Sequence, residues 1–133
     1  MAKLSRIRSV RDLVVYQKAY KLAMQIFELS KKWPKEERYA LTDQIRRSSR
    51  SVCANLREAW AKRRYRGHFI SKLTDSDSEN SETRTWLDFA YDCGYLDKAG
   101  YDELRKTSIE ISKMLDRMLF NPDPFLLKNE HND

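Results

Sequence analysis

The stretch from Gln44 to Trp60 contains neither Gly nor Pro, so nothing in it interrupts a helix. Leu41, Ile45, Val52, Leu56 and Trp60 recur along it at helical spacing and form an apolar face. Arg46, Arg50, Arg57 and Arg64 recur at four and seven residues. They therefore share a second face, roughly 100° round the helix from the first. The apolar stripe must be covered by another element. With three Gly, three Pro and few β-branched runs, the rest of the chain supplies helices rather than strands, and the fold class is all-α.

At 133 residues the chain is one domain. Residues 1–10 form a basic N-terminal arm, expected to be poorly ordered, 11–121 a helical domain and 122–133 a frayed tail. Ser9 or Asp12 can cap the first helix, whose apolar positions are Val15, Tyr16, Ala19, Leu22, Ala23, Ile26, Phe27 and Trp33. Pro34 stops it and suits the start of the next, which should run from about Glu36 to Arg64 and be broken by Gly67. A third helix should begin near His68. Its seam is Phe69, Leu73, Ser76, Asn80, Thr83, Leu87 and Ala90, polar in the middle, with an acidic row of Asp75, Glu79 and Glu82 beside it. Gly94 fits the position just past that helix. Asp97 can cap a fourth, with Tyr101, Leu104, Ile111, Met114, Leu115 and Met118 inward, ended by Pro122 and Pro124. Helices joined by short connections are antiparallel neighbours, so the expected architecture is an up-down-up-down four-helix bundle. Ile45, Val52, Leu56, Phe69, Leu87, Leu104 and Met118 should share its core.

A net charge of +6 and a pI near 9.4 permit nucleic-acid binding without requiring it. The residues suited to phosphates are Arg46, Arg47, Arg50, Arg57, Lys62, Arg63, Arg64 and Arg66, because an Arg fork can hold two phosphate oxygens. Tyr65 and Trp60 lie among them and could stack on bases, although Trp60 suits the core better. Two bland readings compete. Cations at a helix C-terminus are favourable on their own account. The arginine row can also pair with the acidic row, within or between subunits. The polar seam suggests assembly: Ser76, Asn80 and Thr83, with Glu79 and Glu82 beside them, are the candidate oligomer interface, because buried polar groups need partners.

No catalytic constellation stands out. Ser48, Ser49 and Ser51 lack a His or Lys at a spacing that marks a base, and no glycine-rich phosphate loop is present. Glu79 and Glu82 lack the His three residues on that a di-iron bundle uses, and the histidines, His68 and His131, stand apart. Asp75-x-Asp77-x-Glu79 has Asn80 and Trp86 where a calcium loop needs Gly and Glu. The expectation is a non-enzymatic protein with no metal, cofactor or small-molecule substrate. Cys53 and Cys93 are expected to be free, buried thiols. No apolar run spans a membrane and no secretory signal precedes the domain, so the expected location is cytoplasmic.

These residues resemble the four-helix-bundle family named after the protein encoded in intervening sequences of 23S rRNA genes. That family also includes the accessory protein of diversity-generating retroelements. The resemblance rests on Tyr16-Gln17, Trp33-Pro34, Glu37-x-Tyr39-x-Leu41-x-x-Gln44-Ile45-Arg46-Arg47-Ser48 and Asn55-x-x-Glu58. It continues through Phe69, Leu73, Glu82-Thr83, Leu87, Ala90 and Gly94-Tyr95-Leu96, covering about two-thirds of the chain. The family usually has Pro where Cys53 stands and Gly where Ala59 stands, so this second helix should be straighter. The resemblance implies a homopentameric ring with no enzymatic activity, and a basic surface that the retroelement members use on nucleic acid.

Overall fold

The structure, a computed structural model, describes residues 7–128. The helices are α1 (Val14–Ser30), α2 (Asp43–Ala61), α3 (Arg66–Asp92) and α4 (Lys98–Phe120), and no strand occurs among the described residues. Polar cross-contacts give the packing directions. On α3 and α4, Asp88 meets Tyr101, Asn80 meets Ser108 and Asp77 meets Ser112. On α2 and α3, Ser48 meets Thr83, Val52 meets Ser76 and Glu58 meets Lys72. On α1 and α2, Phe27 meets Arg46 and Tyr16 meets Arg57. In each pair one number rises as the other falls, so consecutive helices run antiparallel. Lys18 and Glu110, 3.2 Å apart, link α1 to α4.

The core is the one expected from periodicity. Ile45, Val52, Leu56, Phe69, Leu87, Leu104 and Met118 are all buried in a single cluster, and Trp60 packs partly buried against it. Asp97 caps α4 by accepting from the Gly100 amide at 2.7 Å. Gly94 has a φ of +82°, the left-handed conformation open to glycine. The Tyr95 amide then reaches the Ala90 carbonyl and the Gly94 amide that of Tyr91, a paired closure that satisfies the end of α3.

The seam of α3 is buried inside one bundle. Asn80 donates to the Ser108 carbonyl at 2.8 Å and accepts from the Ser108 hydroxyl at 2.9 Å. That hydroxyl also accepts from Arg84 at 3.1 Å. Ser48 and Thr83 share a hydrogen bond of 2.8 Å, and Ser76 donates to the Val52 carbonyl at 2.8 Å. Among the described residues no buried side-chain polar atom lacks a partner. Ser76, Asn80 and Thr83, expected to look to a second subunit, therefore find their hydrogen-bond partners inside one bundle. Ser108 supplies the missing partner; it occupies the inward position between Leu104 and Ile111.

Other boundaries differ. A 3₁₀ turn at Lys35–Glu37 and a π-helical turn at Arg38–Thr42 precede α2, where regular helix was expected from about Glu36. Tyr95 ties this segment down by donating to Glu37 at 2.9 Å, a bond that pushes the Tyr95 hydroxyl up to about 12. From Asp43 onward α2 is uninterrupted through Cys53 and Ala59. Gly67 does not break it: the chain turns at Lys62–Tyr65, where Tyr65 is extended, and Gly67 lies in the first turn of α3. Ser9 caps a 3₁₀ turn at Val10–Asp12 rather than α1, and Asp12 accepts in return from the Arg8 and Ser9 amides, which lower its pKa. Val10 joins the core, so the arm is anchored there; residues 1–6 lie outside the described part. The tail is docked as far as Leu127, whose amide donates to the Arg63 carbonyl, while Phe125 stacks on Phe69 at 6.3 Å. Both cysteines are free; Cys53 is buried, which pushes its thiol up to about 11, but Cys93 is exposed.

Asn80→Ala removes both hydrogen bonds to Ser108 and leaves a buried carbonyl and hydroxyl short of partners. It should cost about 1–3 kcal/mol in a denaturant melt without changing the mass measured by light scattering. A loss of mass would mean that Asn80 also supports a subunit contact.

Candidate nucleic-acid interface

Helix α1 sets the geometry of the arginine row. Tyr16 and Phe27 stand eleven residues apart, almost a whole number of turns, so they share a face. Antiparallel packing then puts Phe27 beside Arg46 and Arg50, and Tyr16 beside Arg57. The Arg46 and Arg50 guanidinium groups sit 4.9 and 5.5 Å from the centre of the Phe27 ring. Arg57 sits 5.6 Å from that of Tyr16 and donates to its hydroxyl at 3.3 Å. Each cation faces the negative side of an aromatic ring, an attraction of about 0.5–1 kcal/mol at exposed sites. Arg46 is half-buried and goes further, donating to the Ser30 hydroxyl at 2.8 Å and to the Phe27 carbonyl. Arg50, Arg57 and Arg64 stay exposed.

The expected pairing of acidic and arginine rows does not occur within the subunit. None of Arg46, Arg50, Arg57 and Arg64 forms an ion pair with a described carboxylate. The row is turned to α1, whereas the acidic row looks along α3. Lys72 bonds Glu58 at 2.8 Å, holding its carboxyl below the ordinary value, and sits 3.7 Å from Asp75. Glu82 is exposed and accepts from the Trp86 indole at 3.3 Å. The Glu79 carboxyl is pushed up by partial burial and by neighbouring Glu82 and Asp75, while Arg47 pulls it the other way. Arg47 thus stands towards α3, apart from the row.

The turn at the end of α2 divides its own cations. Arg63 lies over the Trp60 ring at 4.0 Å and donates to the Trp60 carbonyl at 2.8 Å, and partial burial lowers its pKa. Arg66 is paired with Asp123 of the docked tail. Lys62 and Arg64 remain exposed, as does Tyr65 (58%), whose ring meets His68 edge-on at 5.6 Å. The cationic set read from the sequence is therefore two groups. Arg47, Arg50, Arg57, Lys62 and Arg64 are exposed with no described carboxylate paired to them, whereas Arg46, Arg63 and Arg66 are held by hydrogen bonds or an ion pair within the fold. Sequence reasoning missed the contribution of α1 and of the 3₁₀ turn before it, where Tyr20 and Lys21 on the helix and Arg11 on the turn flank the row; the i, i+4 pair Tyr16 and Tyr20 was its available signal.

Among the described residues, no group of three or more His, Cys, Asp or Glu side chains is placed to hold a metal ion, and His131 lies outside them. No described helix is long and apolar enough to cross a membrane.

The family model described as 23S rRNA-intervening sequence protein matches residues 11–117. A crystal structure of a protein of unknown function from the S23 ribosomal protein family of Bacteroides thetaiotaomicron is similar, with a TM-score of 0.74 and 32% identity. The match covers 81% of this chain and 96% of that one. No curated protein matches.

The division of the cations has a measurable consequence. Arg46→Ala should destabilise the fold by about 1–2 kcal/mol, through a lost hydrogen bond and a lost ring contact. Arg64→Ala should change it by less than about 0.5 kcal/mol. Equal costs in chemical denaturation would mean that the row does not divide this way.

Proposed function

Since the chain belongs to the 23S rRNA-intervening sequence protein family, we propose that it binds nucleic acid through phosphates, using the α2 face and the turn that follows it. The observation that carries this reading is the set of exposed cations, Arg50, Arg57, Lys62 and Arg64, with no described carboxylate paired to any of them. Arg forks and Lys point charges position a backbone and read no sequence. Binding to RNA or DNA should therefore be largely indifferent to base order. The fold is a scaffold in this reading and performs no chemistry. Its setting is the cytoplasm, where an exposed free thiol such as Cys93 stays reduced.

We propose further that the subunits assemble into a ring, a pentamer on the family resemblance, through an apolar surface rather than the polar seam. Phe120 is 93% exposed and Val14 51% exposed beside a groove of about 820 Å³ lined by Leu13, Met114, Met118 and Phe125. A second copy of the chain is its occupant. Ring symmetry repeats each exposed cation, so one substitution removes several phosphate contacts at once. The competing reading, an interaction module, places the unpaired arginines on carboxylates of a neighbouring subunit instead.

Arg50→Glu and Arg64→Glu should each weaken binding to unrelated sequences alike, with helicity and oligomer mass unchanged. Native binding should fall with salt at a log–log slope of about 0.9 per neutralised phosphate on duplex DNA. Disassembly of the oligomer by the same substitutions favours the interaction module. Absence of any shift of RNA or DNA at low salt overturns the nucleic-acid reading.

Light scattering should give a multiple of 15.9 kDa, five on this proposal, and Phe120→Glu should lower it while leaving the helices folded. A native monomer at micromolar concentration overturns the ring.

A further inference from the structure

Beside the arginine row, between α1 and α2, lies a groove of about 620 Å³ lined by Arg11, Tyr16, Gln17, Tyr20, Lys21, Met24 and Arg57. That is within the roughly 300–1,000 Å³ that small-ligand sites occupy. Its composition is selective. All its charged groups, Arg11, Lys21 and Arg57, are cationic, and no carboxylate lines it. Its two rings differ in availability. Tyr16 is buried and carries Arg57 on its face, while Tyr20, 6.2 Å away at a tilt of 37°, is 55% exposed. Met24, 43% exposed, extends this apolar surface along α1. Gln17 donates its amide N–H to the Arg11 carbonyl at 2.8 Å, which fixes the amide and directs its oxygen elsewhere as an acceptor.

Cations alone would suit any polyanion. An accessible ring among them is a further requirement, because it gains nothing from a duplex whose base faces are already stacked. An unpaired base has a free face, and stacking on an aromatic side chain tolerates every base. We propose that this groove takes an unpaired nucleotide of a single strand, with its base on Tyr20 and the flanking phosphates on Arg11, Lys21 and Arg57. Resting on the nucleic-acid reading above, this makes single-stranded nucleic acid the preferred ligand. Arg57 belongs to both surfaces, so the strand continues from the groove onto Arg50 and Arg64.

The test is fluorescence anisotropy at low salt, with a short labelled oligouridylate and a duplex of the same length. Native protein should bind the single strand more tightly. Tyr20→Ala should weaken single-strand binding about 5- to 100-fold and duplex binding by less than about twofold, and Tyr20→Phe should retain the native value. Lys21→Glu, at an exposed position, supplies an independent arm and should reduce single-strand binding more than duplex binding. Equal losses on the two ligands, or no loss with Tyr20→Ala, overturn the groove while leaving the backbone reading standing. Native protein that binds neither ligand overturns both.

Discussion

The bundle depends on a layer of polar side chains that most cores would exclude. Asn80 and Ser108 exchange two hydrogen bonds between α3 and α4, and Ser48 with Thr83 and Ser76 with the Val52 carbonyl bind α3 to α2. Leu and Ile can slide past one another at little cost, whereas an Asn displaced by one turn from its partner is left buried and unpaired. The layer therefore fixes the axial register of α3 against both neighbours. A polar group in an apolar seam is a known means of specifying register, as a buried Asn does in coiled coils. Here it sits in α3, the helix in contact with α2 and α4 and the longest of the four.

That register is what aligns the candidate interface. α2 is held against α3 by the polar layer, and its other flank then meets α1, where Tyr16 and Phe27 receive the guanidinium groups. A ring can hold an arginine without neutralising it, which an aspartate could not do. The row is ordered by aromatic faces yet keeps its charge for a ligand. Arg46 marks the inner edge of this arrangement, anchored by Ser30 and Phe27, and Arg64 the open end.

Much of this was legible in the sequence. Periodicity places the seam of α3 residue by residue, including its polar members, because helical spacing depends only on backbone geometry. Capping by Asp97 and the left-handed Gly94 follow from local chemistry. What failed was partner assignment. Ser76, Asn80 and Thr83 advertise a need for hydrogen bonds but not where it is met, and Ser108 looks like an ordinary break in the apolar pattern of α4. Arg46, Arg50, Arg57 and Arg64 share a face by spacing, but whether that face meets carboxylates or rings depends on which helix lies beside it. Gly67 misled because an isolated glycine serves a first helical turn as readily as a loop. The groove required α1 and α2 together, and no local pattern joins Tyr20 to Arg57.

The π-helical turn at Arg38–Thr42 also bears on how such a chain tolerates length variation. A helix that loses one residue rotates everything beyond the deletion by about 100°. Inside α2, that would swing the arginines off α1 and the serines off α3. A wide turn holds a surplus residue in a single loop of backbone and can tighten to α geometry when the residue is lost. The segment ahead of Asp43 thus works as an expansion joint. Insertions and deletions accepted there leave the phase of α2 intact, and related chains of unequal length can still present the same faces to the same neighbours.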